Sequence, residues 1–238
     1  MKVFLQADLF QVCFSCCTEN YDKMNLEEHK MKVLLINGSP HAKGCTWVAL
    51  HEIEKTLNEL GVETELIHIG QKDIRGCISC NTCDKLGKCV FDDIVNETAE
   101  KFKDADGLVV GSPVYYGSPN GTILSFLDRL FYSSGFDKTM KVGASVVSCR
   151  RAGNTASFDV LNKYFTISGM PVVSSYYWNN IHGFTAEDAL KDAEGLQTMR
   201  HLARNMTFLM KSIALGKETW GLPEREEKHA FTSFPDGL

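Results

Sequence analysis

The length, composition and charge of the chain limit what kind of protein it is. Its 238 residues, 44% of them hydrophobic, suffice for one α/β domain with a substantial core. With 25 Lys and Arg against 30 Asp and Glu, the net charge is −5, and no basic stripe is long enough to follow a nucleic-acid backbone. No apolar run approaches the roughly 20 residues that cross a bilayer. We therefore expect neither nucleic acid nor membrane as a partner.

The first 30 residues differ from the rest. The opening MKVFLQADLFQVCFSCC interrupts its apolar residues with Gln and Asp, unlike a signal peptide, which favours a cytoplasmic protein with reduced thiols. A second MKV at Met31 starts the first segment with a clear α/β pattern. We interpret residues 1–30 as an N-terminal extension, whether an upstream start, a flexible arm or a short packing helix, and residues 31–238 as one domain.

From Met31 onward, short β-rich apolar runs alternate with segments of helical period, as in a parallel sheet with crossover helices. The runs predict strands over 32–37, 63–69, 107–113, 141–148 and 171–178. The intervening patterns predict helices over 46–60, 92–103, 118–131, 156–168 and 185–216, the third capped by Ser118 with Pro119 at its first position and the last by Thr185 with Asp188. In strand order 2-1-3-4-5 these elements form a flavodoxin-like α/β fold, a five-stranded parallel sheet with helices on both faces.

The loop after the first strand, NGSPHAKGCT (37–46), is a candidate anion site. Ligands of such sheets bind at the carboxyl ends of the strands, near the point where the strand order reverses. The hydroxyls of Ser39 and Thr46, with the loop amides, suit a single phosphomonoester such as that of FMN. The loop is neither a Walker motif nor a GxGxxG fingerprint. The alternative is an ordinary turn in which Ser39 or Thr46 caps the helix.

The loop after the third strand, GSPVYYGSPNG (111–121), is a candidate surface for a flavin ring. It holds a short, stiff, aromatic turn made of Pro113, Val114, Tyr115, Tyr116 and Gly117. Backbone groups of such a turn suit the pyrimidine edge of an isoalloxazine, and its side chains cover a face of the ring. The alternative is that the two tyrosines are packing residues.

Two arginines, Arg150 and Arg151, follow the fourth strand. A positive charge there favours an anionic reduced flavin or the phosphate of a nicotinamide cofactor. The alternative is that both are merely solvated.

The stretch GCISCNTCDKLGKCVFDD (76–93) contains four cysteines within a loop at 76–91, namely Cys77, Cys80, Cys83 and Cys89. A metal cluster, a structural zinc, disulfides and thiols that serve only packing or subunit contacts are the candidate explanations. Reduced thiols weaken the disulfide explanation. Gly76 and Gly87 are expected to supply the backbone freedom for tight turns.

The motifs INGSPHAKGCT, GSPVYYGSPNG and YYWNNIHG, together with the cysteine loop, resemble the flavodoxin-like NAD(P)H-dependent FMN reductases and, among them, the iron–sulfur flavoproteins. The resemblance covers most of residues 31–216. It implies that Ser39, Pro40, Cys45 and Thr46 surround the FMN phosphate and that residues 113–117 lie along the ring. It also implies a homodimer or homotetramer, because these proteins usually complete the flavin pocket across a subunit interface. Cys45 departs from the family pattern, which usually has Asn there.

The cysteine spacing resembles the compact motif that holds a [4Fe–4S] cluster in the iron–sulfur flavoproteins. Two-residue gaps let one loop wrap a bulky cubane, whereas structural zinc usually takes two pairs of ligands separated by a longer connection. Zinc, or a structural role without metal, remains the alternative.

The expected function is an FMN-dependent oxidoreductase that passes electrons from NAD(P)H, or from a ferredoxin-like protein donor, to flavin, quinone or another small acceptor, in part through a [4Fe–4S] cluster. We expect no catalytic side chain, because the chemistry belongs to the cofactor. The alternative function is a non-enzymatic electron carrier or a zinc-stabilised binding module on the same fold.

Overall fold

The computed structural model of the chain describes residues 30–223. The prediction for residues 1–30 lies outside this range except at Lys30, as does the segment after residue 223.

A parallel sheet forms the centre of the domain. Its strands are β1 (Lys32–Asn37), β2 (Glu63–His68), β3 (Gly107–Tyr115), β5 (Val142–Cys149) and β6 (Asn180–His182), in the order β2-β1-β3-β5-β6. A two-residue strand, β4 (Ser118–Pro119), pairs antiparallel with the end of β3. Without β4, the order is the predicted 2-1-3-4-5. The reversal of order at β1 and β3 brings the carboxyl ends of these two strands side by side.

Helices cover both faces of the sheet. The described helices are α1 (Cys45–Glu59), α2 (Cys83–Leu86), α3 (Ile94–Lys103), α4 (Gly121–Ser133), α5 (Asn154–Ile167), α6 (Ala186–Ala189) and α7 (Ala193–Trp220). Val33 and Leu35 of β1 join the apolar cluster of α1 and α7, whereas Leu34 and Ile36 join that of α3, α4 and α5. Successive β1 side chains thus point to opposite faces, both buried, which explains its continuous apolar sequence.

The fifth strand predicted over 171–178 is wrong in position. Only Val172 makes an isolated bridge there, to Gly143, and the edge strand is β6, farther along the chain. The side-chain amide of Asn179 donates to the Ser145 carbonyl at 3.0 Å. This β5 carbonyl therefore has a side-chain donor, and the chain between Ser174 and Trp178 leaves the sheet before β6 pairs.

Two helix starts also differ from their predictions. Ser118 and Pro119 lie in β4, and Asn120 caps α4 by accepting from the Ile123 amide at 2.9 Å. The predicted 185–216 helix consists of α6 and α7, because Asp192 starts a new helix by accepting from the Gly195 amide at 2.9 Å.

The capping pair predicted for the last helix is confirmed, since Thr185 and Asp188 form a capping box, but it stands at the start of the short helix α6. Gly216 does not end the last helix, which continues to Trp220 and is followed by Gly221 at φ 77°.

Candidate functional site

An open cavity of about 850 Å³ lies at the carboxyl ends of β1, β3 and β5. This volume is in the usual range for small-molecule sites. Seven of the predicted site residues line it: Ser39, Cys45, Thr46, Pro113, Val114, Tyr115 and Arg150. Loops that lie far apart in the sequence therefore share one site.

The loop after β1 is held by side-chain bonds to its own backbone. The Asn37 amide donates to the Ala42 carbonyl at 3.2 Å, and its oxygen accepts from the Ser39 amide at 3.0 Å. The Ser39 hydroxyl accepts from the His41 amide at 3.2 Å. These bonds curl the chain back toward the start of α1.

The N-terminus of α1 opens at this loop. Its N-cap residue is Gly44, which has no side chain to bond the first-turn amides. The positive end of a 15-residue helix thus borders the cavity without a side-chain cap. This geometry suits an anionic group, as the sequence analysis predicts for residues 37–46.

Thr46, the second residue of α1, also lines the cavity. It is 1% exposed and shares a 2.8 Å hydrogen bond with the Ser148 hydroxyl near the end of β5. The alternative of Thr46 as the cap of α1 is wrong, because Gly44 holds that position. The bond fixes the start of α1 to the central sheet.

Cys45 connects the first loop to the segment that precedes α6. Its thiol donates to the Thr185 carbonyl at 3.1 Å. Burial, together with the nearby carboxylates of Asp188 and Glu187, raises the pKa of the Cys45 thiol, so the protonated donor is favoured. The residue that departs from the family pattern therefore has a structural contact of its own.

Three predicted site residues, Pro40, Tyr116 and Gly117, are not in the cavity lining. Tyr116 and Gly117 have φ of 51° and 76° and form the tight turn between β3 and β4. Tyr115 is 46% exposed and Tyr116 is fully exposed, so neither is the packing residue of the alternative reading.

The cavity also has lining residues that the sequence analysis did not name as site residues: His41, Ala42, Lys43, Gly44, Gln71, Ser148, Cys149 and residues 183–187. Residues 183–187 follow β6, so their position after a parallel strand was an available signal. Gln71 follows β2, so the same signal was available for it.

The cysteine loop forms a second site. Cys77, Cys80, Cys83 and Cys89 all line one small hollow, which we call the cysteine hollow, against Arg129, Tyr132 and Ser133 of α4. The six cysteines within residues 30–223 are all free thiols. The disulfide explanation is therefore wrong for this loop.

The backbone between the cysteines is left-handed at two residues that are not glycine. Ser79 and Asn81 have φ of 53° and 54°, and Gly87 has φ of 66°. The prediction for Gly87 is confirmed, but Gly76 has no positive φ, and Ser79 and Asn81 make the reversals instead. Such strained turns in non-glycine residues cluster at functional sites.

The last cysteine of the loop is anchored by Asn96 of α3. The Cys89 amide donates to the Asn96 side-chain oxygen at 3.0 Å, and the Asn96 amide donates back to the Cys89 carbonyl at 3.0 Å. The Cys89 sulfur accepts from Nε of Arg129 at 3.2 Å. Both its backbone and its sulfur are thus held.

A family profile decides how the first cavity is interpreted. The profile for NADPH-dependent FMN reductase matches residues 31–185, which include β1, β3, β5 and their loops. The chain belongs to the NADPH-dependent FMN reductase family.

Curated relatives of this FMN reductase family member are similar over most of the chain. An iron-sulfur flavoprotein of Methanocaldococcus jannaschii is 34% identical over 191 residues, covering 77% of this chain and 99% of the relative. An iron-sulfur flavoprotein of Methanosarcina thermophila is 30% identical over 195 residues, covering 79% of this chain and 100% of the relative.

A flavodoxin from the domain Archaea has a TM-score of 0.53 at 17% identity, over 76% of this chain and 99% of that one. The FMN reductase domain therefore has the predicted flavodoxin-like fold.

The residues of the cavity fit FMN. The uncapped start of α1 suits its phosphate, and a Cβ added to Gly44 would lie 2.9 Å from Cβ of His41, so the turn has room only for glycine. Pro113, Val114 and Tyr115 border the space at the end of β3. FMN binding agrees with the family match.

The four thiols of the cysteine hollow line one space without converging on a single point. Within residues 30–223, no group of three or more His, Cys, Asp or Glu residues converges closely enough for one metal ion. A cubane needs thiolates that are spread around a larger core. Ser133, whose hydroxyl is buried and lacks a hydrogen-bond partner among the described residues, lines the same hollow as the four thiols.

None of the helices within residues 30–223 is both long enough and apolar enough to span a bilayer.

Proposed function

We propose that this member of the FMN reductase family binds FMN in the cavity and passes electrons from NAD(P)H, or from a ferredoxin-like protein, to a flavin, quinone or other small acceptor. The observation that carries the flavin part is the meeting of three loops with the uncapped start of α1. Bound FMN supplies the hydride and electron chemistry, and the chain supplies position and charge.

The chain's own residues account for the binding steps. The first-turn amides of α1 and the loop of Ser39 hold the phosphate, since the helix dipole favours an anion there. Exposed Arg150 at the cavity edge supplies a positive charge for the nicotinamide phosphate or for a negatively charged reduced ring. Pro113 and Val114 exclude water from one side of the ring position.

We propose further that Cys77, Cys80, Cys83 and Cys89 hold a [4Fe–4S] cluster that relays single electrons. Their convergence on one hollow, the donor from Arg129 to Cys89, and the names of the curated relatives support this assignment. The cluster supplies one-electron chemistry, and the loop supplies four thiolates.

Purification without oxygen followed by flavin, iron and zinc analysis tests both assignments. We expect bound FMN, an absorption shoulder of iron–sulfur type and about four irons per chain. Cys80→Ser lowers the iron content, whereas Cys149→Ser, whose sulfur lies outside the cysteine hollow, leaves it unchanged. FMN without iron contradicts the cluster alone, and colourless protein with zinc contradicts the flavin assignment and favours the zinc module.

Kinetics separate an enzyme from a carrier. We expect anaerobic NADPH or NADH oxidation that depends on a quinone or free flavin. Cofactor-loaded protein that exchanges electrons with a ferredoxin but shows negligible turnover with either nicotinamide contradicts the reductase and favours the carrier.

We also propose a homodimer or homotetramer whose interface lies beside the flavin cavity. Phe184 lines the cavity and is nevertheless 80% exposed, and Tyr176 and Tyr177 on the preceding segment are 68% and 60% exposed. Apolar surface of this kind next to a ligand site favours a second copy of the chain. Light scattering coupled to size exclusion tests this, and a monomer at micromolar concentration contradicts it.

A further inference from the structure

Helix α4 contributes two buried polar residues to the lining of the cysteine hollow, one turn apart. Arg129 and Ser133 both line it, although the other members of this helical face, such as Phe126 and Leu130, pack in the apolar core. A buried guanidinium and a buried hydroxyl on an otherwise apolar face need a reason.

Most of the Arg129 guanidinium is used to organise the protein. Its two terminal nitrogens bond both carboxylate oxygens of Asp93, the N-cap residue of α3, at 2.7 and 2.9 Å. Its side chain is fully buried, at 0% exposure. This fixed fork leaves Nε to donate to the Cys89 sulfur at 3.2 Å.

The Ser133 side chain, in contrast, does not organise the described structure through a hydrogen bond. The residue is 5% exposed, and its hydroxyl oxygen has no hydrogen-bond partner among the described residues. A buried hydroxyl without a partner costs free energy, so an acceptor is expected at this point. The neighbouring Ser134 shows the contrast, because its hydroxyl donates to the Leu130 carbonyl at 2.5 Å.

We infer that Arg129 and Ser133 are positioning residues that donate hydrogen bonds to the sulfur atoms of a cluster in the cysteine hollow and thereby raise its reduction potential. This inference rests on the proposed cluster. Donors and positive charge beside cluster sulfurs stabilise the more negative, reduced state. The Asp93 carboxylate balances much of the Arg129 charge, so the directed hydrogen bonds are the main contribution.

Ser133→Ala and Ser134→Ala form a matched pair for the test. In cluster-loaded protein, we expect Ser133→Ala to lower the cluster's equilibrium constant for one-electron reduction about tenfold, or ~59 mV, in a dithionite titration followed by electron paramagnetic resonance. Ser134→Ala leaves the potential unchanged. In urea unfolding of the cluster-free protein, we expect Ser134→Ala to lower the free energy of unfolding more than Ser133→Ala does. The reason is that only Ser134→Ala removes an existing hydrogen bond.

Arg129→Lys is the second variant. It keeps the charge and loses the Nε donor, so we expect a lower potential together with weaker folding, because the fork to Asp93 is also lost. Ser133→Ala remains informative if this variant does not fold.

The outcomes separate the inference from the function on which it rests. Wild-type protein without iron contradicts the proposed cluster and this inference together. A loaded wild type whose potential is the same in Ser133→Ala, or shifted equally in both serine variants, contradicts this inference alone.

Discussion

Thr46 and Ser148 share a 2.8 Å hydrogen bond between their hydroxyls although 102 positions separate them in the chain. Thr46 begins the buried part of α1, and Ser148 is the penultimate residue of β5. Thr46 is 1% exposed and Ser148 is 4% exposed, so solvent has little access to either residue. The bond therefore holds the flavin cavity's first loop on the sheet.

Thr46→Val is expected to lower the free energy of unfolding by about 2 kcal/mol, since it leaves the Ser148 hydroxyl buried without its partner. Adding Ser148→Ala recovers part of this loss, because both polar groups are then absent. Urea unfolding of the double-mutant cycle measures the coupling. Strictly additive single changes contradict the bond.

Gly44→Ala is expected to raise the Kd for FMN about tenfold, because the new Cβ displaces His41 and opens the phosphate turn. Gly121→Ala is the control, since a Cβ there meets nothing within 4 Å. Quenching of FMN fluorescence gives both constants. Riboflavin, which lacks the phosphate, should be affected much less by Gly44→Ala, and an equal loss for both ligands contradicts the assignment of the phosphate to this turn.

Asn96→Ala is expected to lower the free energy of unfolding by about 2 kcal/mol and to reduce the iron retained by the loop. The change removes the two bonds that hold the Cys89 backbone and leaves their groups half-buried. Asn58→Ala, at an exposed position of α1, is the control. Chemical denaturation and iron analysis check the two effects, and full iron retention in Asn96→Ala would show that Asn96 does not organise the loop.

Glu65 gives a prediction for pH. The hydrogen bond from Lys101, with a further contribution from Lys32, lowers the pKa of this carboxyl. A lowered folded-state pKa means stabilisation that is present above the unfolded pKa of about 4.3 and is lost as pH falls through the folded pKa.

Between pH 6 and pH 3, the wild type should therefore lose more stability than Glu65→Gln. The difference is at most about 1 kcal/mol, because the side chain is 32% exposed and solvent screens the pair. Urea midpoints across this pH range measure it. Glu59→Gln, at the exposed end of α1, is the control, and parallel pH curves for the wild type and Glu65→Gln contradict the prediction.

The sheet order was predictable because a strand that is buried on both faces has a continuous apolar sequence, as β1 does. The edge strand was not. Residues 171–178 have high β-propensity. However, the Asn179 side-chain amide donates a hydrogen bond to the Ser145 carbonyl, and a tertiary bond of this kind cannot be predicted from the sequence pattern.

The cavity was predictable because topology places loops after parallel strands together. Which individual residues line the cavity was harder to predict, since Tyr115 lines it whereas its neighbour Tyr116, at φ 51°, does not. The role of Arg129 was missed, although a signal existed. A charged residue stands one turn from Phe126 and Ser133 on the face of α4 that is otherwise apolar.

The paired hydrogen bonds from Arg129 to Asp93 have a consequence for how this protein folds in the cell. Cys89, the cap of α3 and the middle of α4 are already joined by bonds that involve no metal. Small zinc domains, in contrast, stay unfolded until the ion binds. We therefore expect the loop of residues 76–91 to fold stably without metal, so that any cluster bound by the cysteine hollow enters a site that is already formed.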